Sequence, residues 1–323
     1  MIGGILMKFQ IRLVERGDVW NIARVVHRSR GLDGPLLDQQ VELDVARFQE
    51  QGVVHQLESN TLIALDGETF AGILRYGEFE NELQLNRPDV DPAYDERAVT
   101  RALIGAIWSF TGPAITKATY VDYATHSGNI GDVFLEAGFS RWVDRLDMRL
   151  KLTEEVGPAR EDMTFQGYSE EVRERFYNVY QSSFTGTLDP MMQWSADYPE
   201  QSFVMFQTRF GAFDPDFWVL ATNADGQDVG FAIFHDFATG RYAGDTVLLY
   251  TGVSPQARGK GYGGEIVREG LRRVRAKRGP HHSVSLSVTR ANKPAEDNYR
   301  KLGFRPIEAF SVYKLDKVEG RNS

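Results

Sequence analysis

The sequence predicts an α/β (α+β) chain that is built from two similar units in tandem. Three observations support this class. With 323 residues, 42% hydrophobic and 25% charged, the chain is long enough for two globular cores. Apolar patterns with the period of a strand alternate with patterns of helical period along the chain. The order of these elements in the first half also recurs in the second, at an offset of about 165 residues.

The first half shows the following elements in order. Residues 9–13 favour a strand, 18–27 and 38–49 favour helices, 61–65 and 70–76 favour a hairpin, and a third strand ends at residue 90. Residues 99–110 then carry the apolar spacing of a core-facing helix, and they are followed by a strand at 118–123, a short helix at 130–137 and a strand at 139–150.

A polar segment with Gly157-Pro158 near its centre separates the halves. We therefore predict a first domain at residues 1–152, a linker at 153–162 and a second domain at 163–323. The second domain repeats the order. It has a strand at 164–168, a helix at 172–180, a hairpin at 217–222 and 229–237, and a strand at 247–253. A helix from 263 that ends at Gly279, a strand at 283–288, a short helix at 295–302 and final strands follow.

Two pairs of short motifs fix the alignment of the halves. The triplet VDP at Val90 matches VSP at Val253, and EAGF at Glu136 matches KLGF at Lys301. Between these motifs the halves differ, because Phe134 stands at the position of Tyr299 and YDERAV replaces a glycine-rich loop. The first half thus keeps the scaffold without that loop.

Composition narrows the classes of function. The chain has no cysteine, which excludes disulfides, thiolate nucleophiles and cysteine-ligated metals. This is compatible with a reducing cytoplasm, where we place the protein. The net charge of −8 argues against nucleic acids or anionic membranes as partners and favours a small-molecule substrate.

The sequence shows no pattern typical of a membrane span, a signal peptide or a metal site. No run of 18 apolar residues occurs, and the start MIGGILMKFQ is too short in its apolar part for a signal peptide. The six histidines, at positions 27, 55, 126, 235, 281 and 282, show no metal-ligand spacing, so we predict no metal site.

The segment from Val247 to Gly279 carries the strongest chemical signal. It combines a strand, a loop with four glycines in six residues (Gly259, Gly261, Gly263 and Gly264) and an amphipathic helix. Free N–H groups and the positive end of the helix dipole converge at such a helix start, which suits an anion such as a pyrophosphate. The loop is not a Walker A motif, because Gly261 follows GK in place of Ser or Thr.

The motif VSPQARGKGYG, followed by NKPAEDNYRKLGF, resembles the GNAT superfamily of acyl-CoA N-acyltransferases. The resemblance is specific over residues 247–316 and weaker over 163–246, and residues 8–150 resemble a degenerate GNAT copy. It implies a tandem GNAT protein, with a mixed, mostly antiparallel sheet flanked by helices in each domain. We also expect the two halves to pack on each other.

The resemblance implies a site for acetyl-CoA or another acyl-CoA. Its pyrophosphate would bind main-chain N–H groups of the loop, with two side chains adding positive charge: Arg258, Gly259, Lys260, Gly261, Tyr262, Gly263 and Gly264. The pantetheine arm would run beside Thr251, Gly252 and Val253, with Asn292 on its other side. Tyr299 corresponds to the general acid that protonates the departing thiolate.

The general base is not set by the motif. Several family members carry a glutamate six residues before the position of Val253, but here that residue is Val247. Asp245 lies two residues earlier, on the same strand face, and is the first candidate. His235, Asp236 or a chain of water molecules are the alternatives. Trp194 and Tyr198 lie where the family builds its acceptor pocket.

These features predict an N-acetyltransferase that moves an acetyl group from acetyl-CoA to a primary amine by direct attack in a ternary complex. Two other functions are compatible with the sequence. One is a non-catalytic acyl-CoA sensor, which the missing glutamate favours. The other is an aminoacyl- or peptidyl-transferase of tandem-GNAT type, which the acidic charge balance disfavours.

Overall fold

The computed structural model of the protein describes residues 8–50, 54–124, 130–153 and 155–317, without the side chains of residues 48–50 and 54–56. His126, the side chain of His55 and the first seven residues lie outside this part. The chain forms two compact units. The first comprises residues 1–142 and 310–323, and the second comprises residues 143–309.

The first half of the chain supplies these elements in order: β1 (Gln10–Leu13), α1 (Val19–Ser29), α2 (Gly34–Glu50), α3 (Val54–Asn60), β2 (Thr61–Asp66), β3 (Thr69–Phe79), β4 (Glu82–Leu85), β5 (Asp89–Val90), α4 (Glu96–Ala106), β6 (Lys117–Tyr123), α5 (Gly131–Glu136) and β7 (Ser140–Lys151).

The second half supplies these elements: β8 (Met163–Gly167), α6 (Arg173–Ser183), α7 (Gln193–Asp197), α8 (Pro199–Thr208), β9 (Trp218–Asn223), β10 (Asp228–Asp236), β11 (Thr246–Val253), α9 (Tyr262–Arg278), β12 (Ser283–Thr289), α10 (Lys293–Lys301) and β13 (Arg305–Asp316).

Both units have a mixed, mostly antiparallel sheet of the same order. In the first unit the order is β1-β2-β3-β4-β6-β13, with β5 also beside β3. In the second it is β8-β9-β10-β11-β12-β7. The parallel pairs are β4 with β6 and β11 with β12. The predicted fold class is confirmed.

The last strand of each sheet comes from the other half of the sequence. Residues 310–316 of β13 pair with β6 in the first unit, and residues 145–151 of β7 pair with β12 in the second. The compact units therefore differ in their bounds from the predicted domains, and the division at 153–162 stays a prediction. Alternating apolar residues identify a strand, but they do not identify the sheet that it joins.

Alternate side chains of β10 contribute to two apolar clusters of the second unit. Ala232 and Phe234 pack in one cluster with residues of α9 and α10. Phe231 and Ile233 pack in another with aromatic residues of α6 and α8. Successive strand residues point to opposite faces, so helices cover both faces of this sheet.

Most predicted elements are present within a few residues of their predicted ends. Helices α3, α7 and α8 were missed. The segment 188–200, which contains α7 and the start of α8, reads as an irregular loop with Pro190 and Pro199. The single strand predicted to end at Val90 is two strands, β4 and β5. Among the helices that the structure describes, none is both long enough and apolar enough to cross a membrane.

Candidate active site

The candidate site lies where β11 separates from β12 in the second unit. These strands pair in parallel only from Thr246 to Leu248, whereas β11 continues beside β10 as far as Val253. Within the described residues, 249–253 therefore have a paired strand on one side alone. A cavity of about 930 Å³ lies beside this edge, and its lining residues all belong to the second unit.

A β-bulge marks the start of this edge. Leu248 pairs with Phe234 and Tyr250 pairs with Ile233, so Leu249 has no partner on β10. Such a bulge bends its strand and increases its local twist. The bend accompanies the separation of β11 from β12.

The close packing of α6 on β11 requires glycine at position 252. A Cβ atom there would lie 2.6 Å from the side chain of Ser183 and 2.7 Å from Cε1 of Phe231. Contacts this short force the neighbouring groups to move. Gly252 therefore fixes the position of the strand edge that lines the cavity.

The main-chain groups of Thr251 and Val253 point away from β10. Ser254 N–H donates to Val229 O over 2.9 Å, and in an antiparallel pair the direction of these groups alternates along the strand. The Nε–H group of Arg258 donates to Val253 O over 3.2 Å from that side. The edge thus offers N–H and C=O groups to a ligand in the cavity.

The loop before α9 has the backbone of an anion site. Gly259 and Gly261 have φ angles of 78° and 82°, in the left-handed region that favours glycine. Gly261 caps α9 without a side chain. In the described part of the chain, the N–H groups of Gly259, Lys260 and Gly261 donate no hydrogen bond. These groups and the helix dipole together favour an anion there.

Arg258 has a structural function that the motif does not reveal. Its guanidinium donates to the main-chain oxygens of Ser183 (2.9 Å), Val253 (3.2 Å) and Gly186 (3.4 Å). It therefore ties the loop to the end of α6. Lys260 is exposed and belongs to the same loop, where its charge can add to the attraction for an anion.

Asparagines of α10 line the other wall of the cavity. Asn292 caps this helix, and its Oδ1 accepts from Ala295 N–H over 3.3 Å. Asn298 also lines the cavity, although no sequence motif selects it. A Cβ atom at Gly264 would lie 2.8 Å from Asn298 Oδ1, so α9 and α10 approach closely at this glycine.

Tyr299 is the predicted general acid. The residue lines the cavity, is 8% exposed and packs edge-on against Phe304 at 5.9 Å between ring centroids. No described residue hydrogen-bonds to its hydroxyl group. Burial, aided by the charge of Asp189, raises the pKa of Tyr299 well above its ordinary value. The phenol is therefore protonated at neutral pH.

Tyr250 is a second phenol on the cavity wall. Its hydroxyl lies 3.1 Å from Ser183 Oγ, and burial raises its pKa to about 12. Tyr250 also stacks on Phe184 at 5.6 Å between ring centroids. This packing holds the ring against the end of α6, so Tyr250 serves first as a wall of the site.

An ion pair lies in the same cavity and was not predicted. Arg145 of β7 and Asp189 both line it, and their side chains are only 11% and 17% exposed. Arg145 donates to Ser287 Oγ (3.0 Å) and to Ser287 O (2.8 Å). Its Nη1 lies 3.4 Å from Asp189 Oδ2. Sequence patterns do not predict this pair. Arg145 lies on β7, a strand of the first half that joins the sheet of the second unit, and Asp189 lies in an irregular loop.

Asp245, the first predicted base, is not among the residues that line the cavity. Its Oδ2 accepts from Ser285 Oγ over 2.5 Å and from Arg149 Nε over 2.8 Å, and the carboxylate is 9% exposed. These contacts favour a structural role in the strand pairing of β11, β12 and β7. Its assignment as a base stays a prediction.

The alternative bases also lie elsewhere. His235 is fully buried, and its Nε2 accepts from Trp218 Nε1 over 2.8 Å. Burial lowers its pKa to about 4. Asp236 pairs with Arg278 (2.9 Å to Nε) and accepts from Thr246. Neither residue is among those that line the cavity.

Trp194 and Tyr198 are likewise absent from the cavity lining. Their rings contact each other at 5.9 Å, and Tyr198 is half exposed. The nearby residues that do line it are Leu188, Asp189 and Met192. No group of three or more histidine or acidic side chains suited to a metal ion occurs in the described ranges.

Comparison with known proteins finds a family match within the second unit. The model of the acetyltransferase (GNAT) family matches residues 173–304. The glycine loop, β11 and α10 lie within the matched segment, which is therefore similar to a GNAT acetyltransferase domain.

Two named relatives match different shares of the chain. A mycothiol acetyltransferase of Saccharomonospora viridis is 41% identical over 105 residues, which are 31% of this chain and only 34% of that protein. Another mycothiol acetyltransferase, from Clavibacter sepedonicus, is 29% identical over 257 residues and 76% of each chain.

Two solved structures show the same fold. A GCN5-related N-acetyltransferase from Sphaerobacter thermophilus gives a TM-score of 0.61 at 18% identity, over 96% of both chains. A tandem GNAT protein from the clavulanic acid biosynthesis pathway gives 0.56 at 13% identity, over 95% of this chain and 98% of that one. The fold is that of a tandem GNAT protein.

Proposed function

We propose that this protein is an N-acetyltransferase that moves an acetyl group from acetyl-CoA to a primary amine by direct attack in a ternary complex. One observation carries the proposal. The main-chain N–H groups at the start of α9 lie beside a cavity whose other wall contains the main-chain edge of β11 and the phenol of Tyr299.

The residues present fit acetyl-CoA or another acyl-CoA. The N–H groups from Gly259 to Gly264 suit the pyrophosphate, and side chains larger than hydrogen at Gly259 or Gly261 would be strained at their φ angles. The amide groups of the pantetheine arm would pair with the edge of β11 at Thr251 and Val253. Asn292 would hold the arm from the opposite wall, since its Nδ2 has no described acceptor.

Acyl-CoA supplies the acyl thioester, and the chain's own groups stabilise charge and move protons around it. The N–H group of Val253 points to the cavity side of β11, where it can stabilise negative charge on the thioester oxygen. Tyr299 holds a proton that it can donate to the departing thiolate. Both functions require a site from which bulk water is largely excluded.

The acceptor is proposed to be a small-molecule amine. The matched relatives are named for mycothiol, which supports an acceptor of this size. The cavity wall near β11 includes Leu188, Met192 and Tyr250, so an apolar part of the acceptor can pack there. The cytoplasm is the proposed compartment, supported by the absence of cysteine.

One observation favours a second candidate, an acyl-CoA sensor without turnover. Val247 stands where several family members carry their basic glutamate, and it is 4% exposed between β10 and β12. A sensor would bind acyl-CoA in the same cavity and release no thiol. The two candidates differ only in turnover.

A combined screen tests the proposal. Thermal shift reports acyl-CoA binding, while release of free thiol reports transfer to a panel of amino sugars, amino-acid amides, polyamines and arylalkylamines. We expect acetyl-CoA to raise the melting temperature and at least one amine to release thiol. Stabilisation without thiol release for any amine would support the sensor, and no stabilisation by any acyl-CoA would overturn both.

A further inference from the structure

We propose that Asp189 receives the proton of the acceptor amine in this active site. The inference rests on the proposed transfer to an amine and names the base that the sequence left open. It starts from the lining of the cavity: among the described residues there, only Asp189 and Asp297 carry a carboxylate. Asp297 is exposed, whereas the side chain of Asp189 is 17% exposed.

The contacts of Asp189 leave one oxygen weakly engaged. Its Oδ1 accepts from Thr289 Oγ1 over 2.7 Å and from Met191 N–H over 3.1 Å. The contact of its Oδ2 with Arg145 Nη1, at 3.4 Å, is long for a charge-assisted hydrogen bond. The carboxylate is thus held in place through Oδ1, and Oδ2 keeps capacity for an N–H donor.

The surroundings of Asp189 match the needs of the reaction. The charged and titratable groups around it come from three elements: Arg145 of β7, Tyr250 of β11 and Tyr299 of α10. These groups line the same cavity as Asp189, whose negative charge adds to the raised pKa of both tyrosines. An ammonium group bound beside Asp189 would meet a proton acceptor in the cavity where acyl-CoA is proposed to bind.

The protons balance as follows. An acceptor ammonium has three N–H protons, and transfer of one to Asp189 gives the neutral amine that attacks the thioester carbon. The C–N bond forms and the C–S bond breaks, with the proton of Tyr299 passing to the sulfur. A second proton from nitrogen restores Tyr299, the amide keeps the third, and Asp189 loses its proton to solvent.

Asp189→Asn separates this role from a structural one. Asparagine can still cap the turn at Pro190 and accept from Thr289, so the fold and acyl-CoA affinity should be retained. It cannot take a proton. The rate of thiol release should therefore fall about 100-fold or more at neutral pH.

The pH profile gives the decisive readout. Because an amine that is already neutral needs no base, the loss should shrink as pH rises toward the amine pKa. Phenylalaninamide and phenethylamine serve as a matched pair of acceptors that differ in amine pKa, at about 8 and about 10. They are tested beside the most active amine of the screen. At pH 8 the loss should be larger for phenethylamine.

Binding provides a readout apart from turnover. In the protein saturated with CoA, Asp189→Asn should weaken calorimetric binding of the acceptor at pH 7 about tenfold or more, because a charged hydrogen bond is lost. Asp189→Glu, which keeps the carboxylate, should recover part of the rate. Asp225→Asn is the control, because this exposed aspartate does not line the cavity, and it should change neither the profile nor the acceptor affinity.

The outcomes separate this inference from the proposed function. Wild-type protein that releases no thiol with any amine contradicts the enzyme and this role together. Wild-type turnover with an Asp189→Asn rate that is unchanged, or lowered equally at every pH, contradicts this role alone. A loss that disappears at high pH supports it.

Discussion

The two units place an aromatic ring at the same position of the repeat, but the rings have different surroundings. In the second unit Tyr299 lines a cavity, and its hydroxyl meets no described partner. In the first unit Phe134 is fully buried and stacks on Tyr120, with 3.7 Å between ring centroids. One ring is available for chemistry, while the other fills space in a core.

The N-termini of α4 in the first unit and α9 in the second also differ in their surroundings. The N-terminus of α4 is capped by Asp95, whose carboxylate accepts from Ala98 N–H over 2.7 Å. In the first unit Arg97 also pairs with Asp132 (2.6 Å) and Glu136 (3.1 Å) of α5. The N-terminus of α9 begins at Gly261 and has no side-chain cap. A carboxylate of the chain thus occupies in one unit the position that a ligand anion can take in the other.

We propose that this difference decides which unit can bind an acyl donor. The sheet order, with one parallel pair beside the helix start, is common to both units. The anion site needs backbone N–H groups that the chain itself does not satisfy, together with glycines in the left-handed region. In the proposed account, a unit that satisfies these groups internally keeps the fold without an anion site.

The largest effect is expected from Gly261→Glu. A carboxylate at this position would place like charge in the anion site and strain the backbone, so affinity for acetyl-CoA should fall at least about 100-fold. Titration calorimetry measures this. Gly240→Glu is the matched control, since Gly240 has a similar φ of 77° and open space around it. Equal affinity in the Gly261 variant would remove the loop from the site.

Tyr299→Phe should lower kcat about 10- to 100-fold with little change in acetyl-CoA affinity. Burial raises the pKa of this phenol above its ordinary value of about 10. The wild-type kcat should therefore not decrease as the pH rises to that value. Steady-state kinetics from pH 6 to 10 check both points. An unchanged kcat in the variant across this range would exclude Tyr299 as the acid.

The reverse substitution, Phe134→Tyr, should create no second site. The added hydroxyl would enter a fully buried aromatic stack, and a buried polar group without a partner costs about 1–3 kcal/mol. Urea denaturation should show this loss in the free energy of unfolding, with kcat unaltered. A gain of acetyl-CoA binding capacity would show that the first unit lacks only this hydroxyl.

The smallest effect is expected from Asp95→Ala. Loss of the cap on α4 should reduce the free energy of unfolding by about 1 kcal/mol. Asp95→Asn should retain the cap and most of the stability. If both variants were equally destabilised, the charge of Asp95 rather than its cap would stabilise this corner.

Sequence alone predicted the scaffold and one wall of the site. Apolar spacing located β11, α9 and α10, because these elements bury a continuous stripe, and the glycines of the loop indicated the anion site. Tyr299 was identified by its place in the motif. The loop glycines and Tyr299 line the cavity, and their roles in the reaction stay predictions.

The other wall could not be predicted, for physical reasons. Arg145 lies on β7, whose place beside β12 depends on strand exchange between distant segments. Asp189 lies in a loop that contains no periodic pattern, and tertiary packing brings it to the cavity that Tyr299 also lines. The predicted base Asp245 is two residues before Val247, and the period of a strand puts these two residues on one face. That spacing does not reveal Arg149, which donates a hydrogen bond to the carboxylate of Asp245.

We propose that the second unit holds the acyl-CoA site and that the first unit does not. Titration calorimetry of the wild-type chain with acetyl-CoA tests it most directly. The structure predicts one binding event per chain, and this event should disappear in Gly261→Glu. Two binding events per chain, or one that persists in that variant, would contradict the claim.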